Sequence, residues 1–96
     1  MDRTQSFPKS VRYCLSNRID SLSLDILEHL VEAQYSTSGS KGVILKQADM
    51  ALCRLRVLLR LAHDRRYLPN KSFEHLTKRL SETGRMLNGW RKQVAQ

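Results

Sequence analysis

Strand signals are nearly missing from this 96-residue chain: no stretch alternates apolar and polar residues, so a sheet is not expected. Cysteine is scarce, and the two present, Cys14 and Cys53, stand alone without a CxxC or CxxH partner. His29, His63 and His75 are scattered. Neither a disulfide framework nor a metal site is expected from this usage, and both cysteines read as small buried apolar residues in a reducing compartment. No apolar run approaches the roughly 18 residues that cross a membrane. Met1 to Ser10 holds no apolar signal-peptide core. A soluble cytoplasmic protein with no membrane partner is therefore expected. Catalytic signatures are lacking as well: there is no Gly-rich phosphate loop after a strand and no HExxH. His63 and Asp64 are neighbours, and neighbours on a helix point about 100° apart, so they do not converge on a metal. The chain reads as a binding protein without cofactor, not an enzyme.

What the chain has in excess is positive charge. Seventeen Lys and Arg against nine Asp and Glu give a formal charge of +8. On so small a domain this points to a polyanionic partner, nucleic acid first, with solubility or an anionic protein partner as the plainer readings. Hydrophobic residues make up 41%, ordinary for a folded domain. A chain this short buries a limited core, and partners are the natural extra source of stability.

Turn signals fall at two places. Ser36-Thr37-Ser38-Gly39-Ser40-Lys41-Gly42 reads as a polar linker, and at Tyr67-Leu68-Pro69-Asn70 the proline stops one helix and suits the start of the next. They divide the single domain into three helices, at about 8–35, 43–66 and 71–94. Spacings of three and four place Val11, Leu15, Ile19, Leu22, Ile26, Leu30 and Ala33 on one face of the first. The second has Leu45, Ala48, Leu52, Leu55, Leu59 and Ala62; the third has Phe73, Leu76, Leu80, Thr83, Leu87, Trp90 and Val94. Short connections make successive helices antiparallel, so the fold class is all-α, an up-down helical bundle.

One seam per helix leaves apolar residues over. Tyr13, Leu24, Leu27 and Val31 form a second stripe on the first helix; Met50, Val57 and Leu61 do so on the second, with Arg54 between them. A helix apolar beyond one stripe buries a second face, so an oligomer or partner interface is expected here. The cations are also patterned. Lys71, Lys78, Arg85 and Lys92 recur every seven residues and drift only about 20° per heptad, which makes one outward ridge opposite the third helix's seam. Arg12 and Arg18 on the first helix are further candidates for nucleic-acid contact, as are Arg65 and Arg66 ending the second, where cations also favour the helix dipole. Arg56 and Arg60 lie at helical spacing from Asp49 and Asp64 and read as structural or interface ion pairs. No aromatic platform accompanies the ridge, so contact would be to phosphates and salt-sensitive. Gly84 and Gly89 interrupt the third helix beside Trp90 and suggest a tight packing site.

Phe7-Pro8-Lys9, Arg12-Tyr13, Leu15, Arg18-Ile19, Leu24-Asp25-Ile26-Leu27 and Glu32-Ala33 resemble the second-helix region of the Avd-type four-helix-bundle family, the accessory proteins of diversity-generating retroelements. Leu55-Arg56-Val57-Leu58-Leu59-Arg60-Leu61-Ala62 with Asp64 resembles the third helix of that family, and Glu82-Thr83-Gly84-Arg85-Met86-Leu87-Asn88-Gly89-Trp90 its closing motif, usually close to EIGRMLGGW. The resemblance covers about residues 7–94. It implies a homopentameric ring that associates with the element's reverse transcriptase and template RNA and supports mutagenic copying without chemistry of its own. Two departures stand out. Asn88 replaces a common glycine, and the family usually has another helix before the Phe-Pro-Lys segment, so either the start is truncated or the bundle is completed differently. Proteins encoded in intervening sequences of ribosomal RNA share the bundle, and a purely structural interaction module is the third reading; neighbouring genes would separate them.

Overall fold

The computed structural model describes residues 9–95, with side chains from Tyr13 onward; the expectations for Phe7, Pro8, Val11 and the Arg12 side chain lie outside the described residues. Three α-helices follow one another: α1 at Lys9–Gln34, α2 at Ser38–Asp64 and α3 at Asn70–Ala95. No strand occurs among the described residues.

α1 runs through 26 residues without glycine or proline. Its last carbonyls are satisfied locally: the amides of Tyr35 and Ser36 donate to Glu32 and Ala33, and the Ser36 hydroxyl donates to the Glu32 carbonyl at 2.6 Å. The linker expected at Ser36–Gly42 is mostly helix instead. Thr37 is extended, at φ −69° and ψ 160°, and its carbonyl accepts the amides of Ser40 and Lys41 at 3.0 Å each. This starts α2 five residues before the expected Val43. Thr37 makes no side-chain cap bond to the helix amides; burial of Ile44 and Leu45 in the next turn offsets the low helix propensity of Gly39 and Gly42.

α2 closes with a Schellman motif. The Tyr67 amide donates back to Ala62 at 2.8 Å and the Arg66 amide to His63 at 3.0 Å, with Arg66 itself at φ 62°. That left-handed position usually belongs to glycine, and a side chain there costs about 1–2 kcal/mol. Arg66→Gly is therefore expected to stabilise the fold by about 1 kcal/mol, raising the midpoint of thermal unfolding by several degrees. An unchanged or lower midpoint would mean that the Arg66 side chain makes a stabilising contact of its own. Across the turn, the His63 ring stacks on Phe73 at 4.1 Å and meets Asn70 Oδ1 at 2.6 Å, tying the end of α2 to the start of α3. Pro69 stands just outside α3, where its carbonyl accepts the Phe73 amide at 2.9 Å.

α2 is the spine. All six of its expected seam residues are buried, with Ile44 and Ala51 added. α1 buries Leu22, Ile26 and Ala33; α3 buries only Gly84 and Leu87, while Phe73, Leu76, Leu80, Trp90 and Val94 are half-buried against the same core. Both outer helices pack on α2, yet no close backbone approach joins α1 to α3. The molecule measures 58 × 22 × 13 Å with a radius of gyration of 16.0 Å, against about 12.5 Å for a compact chain of this length. Three helices of this length end to end would span about 120 Å, so the short connections fold them back antiparallel. The chain is thus an open helical layer, in which each helix keeps one side free.

Both cysteines are exposed, contrary to the buried positions expected. In an open layer only the faces that neighbouring helices meet are covered, and neither cysteine belongs to the buried core.

Candidate oligomer and nucleic-acid interface

The second stripes are where the open layer leaves apolar surface uncovered. Tyr13, Leu24, Leu27, Val31, Met50, Val57 and Leu61 are all exposed, from 41% for Leu61 to 68% for Tyr13. On α1, Leu27 and Val31 stand about 140–180° around the helix from the buried Leu22, so α1 has two opposed apolar faces and packs only one. On α2, Val43, Met50 and Val57 recur every seven residues, with Arg54 and Leu61 four after Met50 and Val57. That is the 3–4 spacing of a helix-pairing seam. Beside it a groove of ≈ 400 Å³ lies between α1 and α2, lined by Arg18, Leu22, Cys53, Arg54, Val57 and Leu58. Val43, Tyr35 and Met86 are exposed apolar residues that sequence reasoning missed. For Val43 the signal was present, since it stands seven before Met50; reading the helix start at Val43 itself hid it.

The cations fall into separate groups. Lys71, Lys78, Arg85 and Lys92 are all exposed along α3, on the side away from Leu76, Leu80 and Leu87. Arg85 belongs to this outer row while its neighbours Gly84 and Leu87 are buried. Arg65 and Arg66 are exposed at the α2–α3 turn, the end of the molecule where Lys71 begins the row. Arg18 is not with them; it rims the apolar groove together with Arg54.

Within the chain, neither Arg56 nor Arg60 forms an ion pair with Asp49 or Asp64 among the described residues. Asp49 pairs instead with Arg91 of α3 at 3.0 Å, and His29 lies 3.7 Å from Glu32 within α1. Asp49 lies on the side of α2 that meets α3, within reach of a residue the sequence could not place opposite it. The Arg56 guanidinium donates to the Leu80 carbonyl at 3.5 Å and lies over Gly84. A Cβ added at Gly84 would meet Arg56 Nη2 at 2.6 Å, whereas nothing lies within 4 Å of one at Gly89. The close approach expected of the two glycines is thus real at Gly84, made by a guanidinium, and missing at Gly89.

No group of three or more His, Cys, Asp or Glu that could hold a metal occurs among the described residues. No described helix is long and apolar enough to cross a membrane.

The described residues thus form an open helical layer with an exposed apolar seam and, apart from it, an exposed row of cations. The chain matches the bAvd-like family model over residues 1–94 and belongs to that family. This agrees with the Avd-type resemblance of its closing motif. No curated protein and no solved structure matches the chain.

Proposed function

We propose that this chain is a non-catalytic accessory subunit of a diversity-generating retroelement, a homo-oligomer that binds the element's reverse transcriptase and template RNA in the cytoplasm and supports mutagenic reverse transcription. The observation that carries the reading is the division of the surface: the exposed seams of α1 and α2 supply an assembly face, and the exposed row Lys71, Lys78, Arg85 and Lys92 lies apart from them on α3. Assembly and polyanion binding therefore do not compete for the same residues. Membership of the bAvd-like family supports the same reading, and a ring of five is the stoichiometry the resemblance favours. A ring would multiply a row of four cations into several linked rows, which raises affinity through effective concentration without any new contact.

Reconstitution tests it. The chain, the reverse transcriptase encoded beside it and the template RNA are expected to elute together on size exclusion, and copying of the template is expected to depend on the chain. Separate elution of all three components in low salt would remove the accessory role.

A further inference from the structure

We infer that the cleft between α2 and α3 formed by Arg56, Arg60, Phe73, Thr77 and Ser81 is a phosphate-binding site, and that its ligand is a phosphodiester of the RNA backbone. The inference deepens the proposed function and rests on it for the identity of the ligand. The cleft, of ≈ 170 Å³, is small, and four of its five lining residues carry polar side chains. Its two guanidiniums stand four residues apart on one face of α2, about 6 Å along the helix. Like charges at that spacing destabilise a helix by a few tenths of a kcal/mol unless a counter-charge intervenes. Among the described residues no carboxylate oxygen lies within 4.0 Å of either guanidinium, and Asp49 pairs with Arg91. Arg60 has no hydrogen-bond partner among the described residues, and Arg56 has only the long bond to Leu80.

The Arg56 guanidinium at the cleft is held by the neighbouring turn of α3. Gly84 sits in mid-α3, where glycine costs about 1 kcal/mol relative to alanine. Its missing side chain is what admits the Arg56 guanidinium, and the Leu80 carbonyl orients it. An arginine held over a glycine and aimed by a backbone carbonyl keeps further N–H groups free, and a planar fork of donors suits a phosphate's oxygens. The two hydroxyls differ. Thr77 donates to the Phe73 and Glu74 carbonyls at 2.9 and 3.0 Å and is spent within the helix. Ser81 has no hydrogen-bond partner among the described residues and remains available as a donor to an anion.

Position links the cleft to the outer row. Ser81 follows Lys78 by three residues and precedes Arg85 by four, so the three are surface neighbours on α3. A strand whose phosphates contact Lys78 and Arg85 thus passes the mouth of the cleft, where the next phosphate meets Arg60, Arg56 and Ser81. The arginines that the sequence reads as structural or interface ion pairs become the inner half of a two-sided anion track.

Arg60→Gln is the clean variant, because Arg60 makes no hydrogen bond or ion pair among the described residues; Arg56→Gln is made as a second variant and read only if its helicity and size match wild type. Both are compared with wild type and with Lys78→Glu/Lys92→Glu for affinity to a 20-nucleotide single-stranded RNA across a salt series. Removing one phosphate-neutralising charge is expected to reduce the slope of log affinity against log salt by about 0.7 per engaged subunit. Arg60→Lys is expected to keep that slope while binding more weakly, since it retains the charge and loses the fork. A wild-type slope for Arg60→Gln, with RNA binding weakened in the Lys78→Glu/Lys92→Glu protein, would overturn the cleft and leave the RNA role standing. Wild-type protein that fails to bind RNA would overturn both. Should Arg60→Gln abolish co-elution with the polymerase while its RNA slope is unchanged, the cleft would belong to a protein contact and the inference would fall.

Discussion

Glutamate in place of Leu27 or Val57 is expected to dissociate the oligomer into lower-order species while leaving the helical content close to wild type. Leu27 is 57% exposed and Val57 67% exposed in the single chain, so neither supports the α1–α2–α3 core. A mutation there does little to the fold of one subunit. In an assembly the same positions are covered, and each substitution then has two effects. It removes an apolar burial of about 1.5–3 kcal/mol, and it places a carboxylate where water is excluded, which costs several kcal/mol more. A combined penalty of about 4 kcal/mol at each interface position is about three decades in association constant. Light scattering at micromolar concentration, paired with circular dichroism, reads both quantities. Retained size in the Leu27→Glu protein would take the α1 stripe out of the interface; retained size in both proteins would take the assembly face elsewhere, with Met86 on α3 as the next exposed apolar residue to test.

The helices were legible in the sequence because their seams are regular. Leu45, Ala48, Leu52, Leu55, Leu59 and Ala62 keep the three-and-four spacing without a break, and every one of them is buried. The second stripes were legible for the same reason: Leu27 and Val31 repeat at helical spacing whether or not anything covers them. What periodicity does not carry is how the helices sit relative to one another. It gives each helix a face, and three faces are compatible with a closed bundle as well as with an open layer around α2. For that reason Cys14 and Cys53 looked buried and are exposed. The pairing of Asp49 was illegible for a related reason. Within α2 it has Arg56 and Lys46 at or near helical spacing, and only the packing of α3 brings Arg91 to 3.0 Å. Local signals also misled at Ser36–Gly42, where two glycines and three serines read as linker and a single extended Thr37 starts a helix. At Gly84 the sequence signalled a close approach, but the approaching group, a guanidinium from the neighbouring helix, follows from the fold alone.

Charge reversal at Lys78 and Lys92 is expected to weaken RNA binding and flatten its salt dependence, with helicity and assembly unchanged. Both side chains are exposed on α3, and neither makes an ion pair among the described residues. Glutamate is a good helix former, so the backbone of α3 loses little. For the ligand the change is large. Each lysine that neutralises a phosphate releases a counterion. The slope of log affinity against log salt therefore falls by about 0.7 on a single strand, or 0.9 on a duplex, for each phosphate no longer neutralised. Two such phosphates per subunit amount to about 1.4–1.8 in slope, multiplied by however many subunits the RNA touches. The reversed charge adds repulsion beyond simple removal, so affinity at low salt is expected to drop by more than the slope alone implies. Neutral Lys78→Gln/Lys92→Gln separates the two effects, since it removes the cations without repelling the backbone. Arg85 lies in the same exposed row, so a triple variant that includes it is expected to deepen the effect without unfolding α3. An unchanged slope in the double variant would make the row a solvated face. RNA contact would then have to come from Arg65 and Arg66 at the α2–α3 turn or from Arg12 and Arg18 on α1, and the cleft at Arg60 would have no outer track to feed it.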